Sequence, residues 1–437
     1  MAERPGPVLP RPVLPRLGPR PLPLHLMTAA AVWTSSRFAW PSLKLGWPST
    51  SGAPLAPGLS PPLARLLADP AFHGLRRQAQ ALDPAALGSA VERALAARAS
   101  AFLDGLERYR NASYRRDLAD PPVLWQEGPT RLLDYGPPGT NGGSAGRPVL
   151  FVPSLINRAY ILDLMAGQSL LRWLAEQGLR PLLLDWGAPG AEERRFTLTD
   201  YICGRLERAL DALLAERPPG KTRQKPIVAG YCMGGMLALA LAERRQAELD
   251  GLVLMATPWD FHAGGQEASA RRLSQTLLGF GPALDLLGEL PVDAIQALFA
   301  ALDPLLVIRK FRSFARMEEG SQRATAFVAL EDWLNDGTGL AAPVAREALG
   351  GWYGENTAAT GQWRIAGRVV DPARVSLPAL ALIPEGDRIV PPASALALAN
   401  ALPNRQIERP PLGHIGMVVG GQAKEKVWEV LRNWCAS

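Results

Sequence analysis

Lys225-Pro226-Ile227-Val228-Ala229-Gly230-Tyr231-Cys232-Met233-Gly234-Gly235-Met236-Leu237-Ala238-Leu239-Ala240-Leu241-Ala242 joins two apolar runs across a glycine-flanked cysteine. Residues 227–229 read as the end of a buried strand, and residues 235–242 as a buried helix. Between them stands G-x-C-x-G, Gly230 to Gly234, a nucleophile elbow with cysteine where serine is usual. Such a turn holds its nucleophile in a strained backbone conformation, and the flanking glycines relieve the crowding around it. The helix that follows aims its positive N-terminal end at the sulfur, which favours thiolate. Cysteine in this position points to thioesters or long-lived acyl intermediates rather than to simple ester hydrolysis.

Outward from the elbow, short apolar runs alternate with helical patterns. Residues 149–153, 181–186 and 252–255 read as strands, and residues 164–177 and 199–216 as helices. Upstream, residues 122–135 read as two strands around a turn. Downstream, 379–384 and 405–409 read as strands, and 393–401 and 423–435 as helices. Short buried runs separated by helices imply a mostly parallel sheet covered on both faces. From 264 to about 347 the rhythm stops and the chain reads as helical, with no strand candidate. The expected architecture is therefore α/β, an α/β-hydrolase fold with a helical cap inserted after the sixth strand. The expected order is a disordered Pro-rich segment over 1–62, a helical region over 63–120, and core over 121–263. The cap over 264–370 and the rest of the core over 371–437 complete it.

In that fold the nucleophile is followed by an acid and then a histidine, on loops after late strands. The chain has four histidines: His25, His73, His262 and His414. His25 and His73 precede the catalytic region. His414 lies in Gly413-His414-Ile415-Gly416, between the last strand and the last helix, where the base belongs. Asp387 lies in Glu385-Gly386-Asp387-Arg388, directly after a strand, where the acid belongs. Asp387 would hold the imidazole tautomer, and His414 would take the proton from Cys232. The oxyanion needs two backbone donors, expected from Met233 after the nucleophile and Ile156 in the loop after residue 152. Losing one such donor typically costs about 3 kcal/mol of transition-state stabilisation. His262 reads mainly as cap packing and secondarily as a substrate contact. Trp186, after a strand, reads equally as pocket lining or core.

The bulk properties narrow the function classes. The chain has 437 residues, a net charge of +6 and no dense Lys/Arg block, so nothing suggests nucleic-acid binding. Three cysteines, Cys203, Cys232 and Cys435, make no disulfide framework and fit a reducing cytoplasm. Cys203 reads as inert core and Cys435 as incidental. No phosphate loop or metal-ligand cluster is evident, so neither a metal nor a cofactor is expected beyond a CoA thioester as substrate. No apolar stretch approaches the ~18 residues of a membrane span. The start, with Arg4, Arg11, Arg16 and Arg20 among prolines before residues 26–33, loosely imitates a signal peptide. It reads instead as a disordered tail, with Met27 the expected translation start.

Several segments together resemble polyhydroxyalkanoate synthases. Asn157-Arg158-Ala159-Tyr160-Ile161-Leu162-Asp163-Leu164 is similar to their N-[KR]-x-Y-I-x-D-L segment, and residues 230–235 to their G-x-C-x-G-G box. Thr257 to Phe261 resembles T-P-x-D-F. Trp333 to Gly337 resembles W-x-x-D-G, and Tyr353 to Asn356 resembles Y-x-x-N. The likeness runs from about residue 121 to the C-terminus. It implies polymerisation of (R)-3-hydroxyacyl-CoA into polyester, with CoA released and Cys232 as covalent acyl carrier. It further implies His414 as base, with Asp387 as its partner and sometimes as activator of the 3-hydroxyl. A homodimer, a non-catalytic synthase subunit and a granule surface are the implied partners. Asn157, Tyr160 and Arg388 join Trp186 and His262 as expected pocket residues. Arg388 departs from the family, which usually has histidine after the acid. The rival reading is a hydrolase, a thioesterase or depolymerase using the same triad; a granule scaffold without activity is the non-enzymatic one.

Overall fold

The computed structural model describes residues 16–45, 69–136, 146–216, 224–279 and 281–437. The chain divides into two compact units: Met1–Ser113 with Asp303–Phe327, and Tyr114–Leu302 with Val328–Ser437. This division departs from the expected one, because the middle of the insert groups with the N-terminal helices rather than with a separate cap.

The larger unit carries the sheet. Its strands are β1 (Val123–Glu127), β2 (Thr130–Asp134), β3 (Pro148–Val152), β4 (Arg180–Asp185), β5 (Ile227–Tyr231), β6 (Gly251–Met255), β7 (Ala379–Leu382) and β8 (Arg405–Glu408). They lie in the order β1-β2-β4-β3-β5-β6-β7-β8. β2 runs antiparallel to both β1 and β4, and every other neighbouring pair is parallel. Each residue of β5 and of β6 is buried, as expected for central strands covered on both faces. The insert follows β6, the sixth strand.

Three local expectations need correction. Residues 164–177 are not one helix: Asp163–Met165 pairs with Gln168–Ser169, and the helix is only Leu170–Glu176. Gly167, at φ +77°, makes the reversal that the apolar spacing concealed. The insert does contain strands, two short ladders joining Glu289–Leu290 to Leu340–Ala341 and Arg364–Ile365 to Arg368–Val369. Two residues per strand leave no alternation to read.

The third correction concerns residues 1–62, of which 1–15 and 46–62 lie outside the described residues. Leu22–Leu45 is a helix, not disordered chain. Pro23 falls in its first turn, where a missing N–H costs nothing, and residues 24–40 contain no proline. In the same unit, Asp69 and Asp83 each cap a helix that opens on proline, Pro70–Ala81 and Pro84–Arg110. Phe102 and Tyr109 pack edge-on against Phe311, at 6.4 and 5.6 Å between ring centroids. Among the described residues, no helix is long and apolar enough to cross a membrane.

Candidate active site

The elbow is built by close approach. Cys232 ends β5 at φ 56°, ψ −129°, a conformation that side chains rarely adopt. Its N–H donates to Met255 O at 2.8 Å, so the strained residue is anchored to β6. Helix Met233–Arg244 follows immediately and is buried from Met233 through Ala242. A Cβ on Gly234 would sit 2.1 Å from Val152 O, and one on Gly235 1.9 Å from Thr257 Oγ1. These glycines let the helix seat directly on the loop after β3 and on the end of β6.

The acid and base arrive from the loops after β7 and β8. His414 Nδ1 lies 2.7 Å from Asp387 Oδ2, with both side chains almost fully buried. Asp387 Oδ1 accepts the N–H groups of Ile389 and Val390, each at 2.8 Å. Both carboxylate oxygens are thus occupied, which fixes the carboxylate and directs one oxygen at the ring. On its other side the imidazole lies beside Cys232, close enough to feel the charge of its sulfur. Burial alone would lower the pKa of His414, but Cys232 beside it and the hydrogen bond it donates to Asp387 outweigh burial and raise it. Three groups from distant parts of the chain are therefore brought together, Asp387 beside His414 and His414 beside Cys232.

The remaining expected site residues divide. Met233 N–H belongs to the first turn of the elbow helix, where N–H groups have no intrahelical acceptor. Ile156 sits in the facing loop, but its N–H donates to Ser154 Oγ at 3.1 Å, so it is engaged within its own turn. Trp186 does not line a pocket. It is buried, its indole N–H donates to Pro153 O at 3.0 Å, and it meets Tyr201 edge-on at 5.5 Å. The bond ties it to the loop after β3. His262 Nε2 lies 3.0 Å from Tyr353 O, which makes it a packing residue of the insert. Arg388 is exposed on the turn beside Asp387 and does not enter the triad. Asn157 is half-buried, its Oδ1 inaccessible and without a hydrogen-bond partner among the described residues. Tyr160 is hydrogen-bonded to Asp336, with the Arg116 guanidinium 5.4 Å from its ring centre.

Two tyrosines were not assigned a role from the sequence. Tyr231, the residue before the nucleophile, donates its hydroxyl to His414 O at 3.0 Å. Tyr353 comes from the insert and lies within electrostatic reach of Cys232. Burial first, and the sulfur's charge second, push its phenol up to about 12. Tyr353 was visible as part of Y-x-x-N, but no sequence pattern told which side of the molecule it would face.

The segments that resembled one family prove to be each other's partners. Trp333 Nε1 donates to Arg158 O at 2.8 Å, and Asp336 lies 3.7 Å from the Arg158 guanidinium. Asn356 Oδ1 accepts Phe261 N–H at 3.0 Å while its Nδ2 donates to Asp260 Oδ1 at 2.8 Å. Asp163 is wholly buried among Arg116, Arg172 and Tyr135. The comparisons agree with this arrangement. Residues 147–420 match the alpha/beta hydrolase fold model, and residues 117–174 match the model of the poly-beta-hydroxybutyrate polymerase (PhaC) N-terminus. The poly(3-hydroxyalkanoate) polymerase subunit PhaC of Synechocystis sp. is 30% identical over 343 residues, covering 76% of this chain and 89% of that protein. This chain belongs to the PhaC polymerase family. The PhaC subunit of Allochromatium vinosum is 27% identical, with 76% of this chain and 92% of that protein covered. That of Haloferax mediterranei is 29% identical over 72% of this chain, which spans 63% of its length.

Proposed function

We propose that this PhaC-family chain is a poly(3-hydroxyalkanoate) polymerase that joins (R)-3-hydroxyacyl-CoA units through a thioester on Cys232. The observation that carries the mechanism is the buried Asp387–His414 pair beside the cysteine of a strained elbow. In the first step the thiol proton passes to His414 and the sulfur attacks the thioester carbonyl. Collapse of the tetrahedral adduct expels CoA sulfur, which recovers the proton from His414. One thioester replaces another, so the step is close to thermoneutral and the acyl group can wait. In the second step the 3-hydroxyl of another acyl-CoA gives its proton to His414, and its oxygen attacks the Cys232 thioester, expelling the cysteine sulfur, which takes the proton back from His414. The lengthened chain is then a CoA thioester, which acylates Cys232 again with release of CoA.

The occupied oxygens of Asp387 favour one of its two suggested roles. Oδ1 is held by two backbone N–H groups and Oδ2 by His414, so Asp387 orients the base and His414 takes the hydroxyl proton. No cofactor enters this scheme; the CoA thioester is substrate. A homodimer, a non-catalytic subunit and a polyester granule surface in the cytoplasm complete the proposal. The word subunit in the relatives' descriptions supports the second of these.

The test is purified full-length protein with (R)-3-hydroxybutyryl-CoA, alone and with a candidate non-catalytic subunit, following CoA and product together. CoA release matched by polymer is expected. CoA release matched by free 3-hydroxy acid would replace the polymerase with a thioesterase.

A further inference from the structure

Tyr231 occupies the variable position of the elbow, yet it is tied to the catalytic base twice. Its hydroxyl donates to the backbone carbonyl of His414 at 3.0 Å, across 183 positions of sequence. Its ring lies 5.2 Å from the imidazole between centroids, tilted by 31°. The side chain is buried, so neither contact competes with water. We infer that Tyr231 is a positioning residue for the catalytic histidine, holding the base over the sulfur that the next residue supplies. The geometry explains how. Asp387 fixes one edge of the imidazole, but a ring held at one edge can still swing about that bond. The phenol restrains the loop backbone at His414 itself, and its ring face supports the imidazole, most strongly when the imidazole is charged. Because Tyr231 and Cys232 are adjacent, the same strained turn that presents the nucleophile also sets the position of its base. Burial, and then the charges of Cys232 and Asp387, push the phenol well above its ordinary pKa, so it stays a donor.

This inference rests on His414 being the base for Cys232, as proposed above. The groups facing His414 that titrate or carry charge are Asp387, Cys232 and Tyr231, with Tyr353 facing Cys232.

The experiment compares the full-length wild type with Tyr231→Phe and Tyr231→Leu. It reads the rate of Cys232 alkylation by iodoacetamide across pH, with the modified peptide identified by mass. CoA release and the thermal midpoint are measured in parallel. Tyr231→Phe keeps the ring and removes the tether. It is expected to lower kcat and the neutral-pH alkylation rate roughly three- to tenfold with KM unchanged, the size of one net hydrogen bond. The half-maximum of the alkylation profile should move to higher pH. Tyr231→Leu removes both contacts and should go further; if it does not fold, the phenylalanine variant decides. A Tyr231→Phe profile within about twofold of wild type at every pH would overturn the inference, since a positioning bond is worth more than that. So would a lower thermal midpoint with an unmoved pH profile, which is what a purely structural role produces. If the wild type releases no CoA, the polymerase reading fails while the alkylation profile still tests Tyr231.

Discussion

The elbow around Cys232 and the insert after β6 are both rich in glycine and apolar residues, yet they tolerate change very differently. At the elbow the glycines have no spare volume: Gly234 meets carbonyl oxygens of the β3 loop and Gly235 meets Thr257. In the insert, Gly350 has nothing within 4 Å of where a Cβ would stand. The elbow is thus specified by contacts shorter than any side chain permits. The insert is specified by individual bonds that bring its Trp333, Asn356 and Tyr353 toward the site.

The sharpest test of the rigid half is to remove its sulfur. Cys232→Ala should abolish CoA release, by roughly 10⁴-fold or more, because the covalent carrier itself is gone. The thermal midpoint should hardly change, since alanine keeps the Cβ and with it the same backbone strain at φ 56°. Residual turnover at a tenth of wild type would mean the acyl group is carried elsewhere. Asp387→Asn comes next. The amide can still accept from Ile389 and Val390, but presents N–H where His414 Nδ1 needs an acceptor, which favours the wrong tautomer. CoA release should fall about 10³-fold, with KM little altered. A fall of less than about tenfold would show that His414 is oriented mainly by other contacts, Tyr231 first among them.

The contrast also explains what could be read from the chain. The order Cys232, Asp387, His414 was legible because each lies beyond a strand and close to a glycine, at Gly230, Gly386 and Gly413. The sheet strands were legible for the same reason, within one or two residues. Trp186 was ambiguous because a tryptophan after a strand can face either way; only its bond to Pro153 O distinguishes brace from lining. Ile156 was expected to offer a free N–H in the loop after β3, but the Ser154 hydroxyl that engages it depends on a turn no spacing encodes. The helix Leu22–Leu45 was missed because proline count was weighed over proline position. Local rules found what backbone geometry dictates. They did not find what side chains decide across the fold.

A pair of glycine substitutions compares the two regions directly. Gly234→Ala places a methyl group 2.1 Å from Val152 O, and backbone cannot yield as a side chain would. It should cost about 3 kcal/mol of stability and displace the oxyanion loop. Gly350→Ala, in the open insert position, should instead be neutral or stabilise by about 0.5 kcal/mol through lost freedom of the unfolded chain. Denaturant midpoints of the two variants check both values. Equal effects would mean that the crowding at the elbow is relieved by movement of the loop.

The smallest expected effect tests whether the loop after β3 needs its brace. Trp186→Phe keeps an aromatic ring against Tyr201 but removes the indole N–H that Pro153 O accepts. Stability should fall by about 1 kcal/mol, one net hydrogen bond with its carbonyl left unpaired. That alone would say nothing of catalysis. If Trp186 lined the substrate pocket, however, its loss would appear chiefly in KM. If it braces the loop after β3, its loss disturbs the stabilisation of developing charge rather than substrate binding, so kcat falls and KM stays. A few-fold drop in kcat at constant KM is expected, and a KM change with constant kcat would return Trp186 to the pocket.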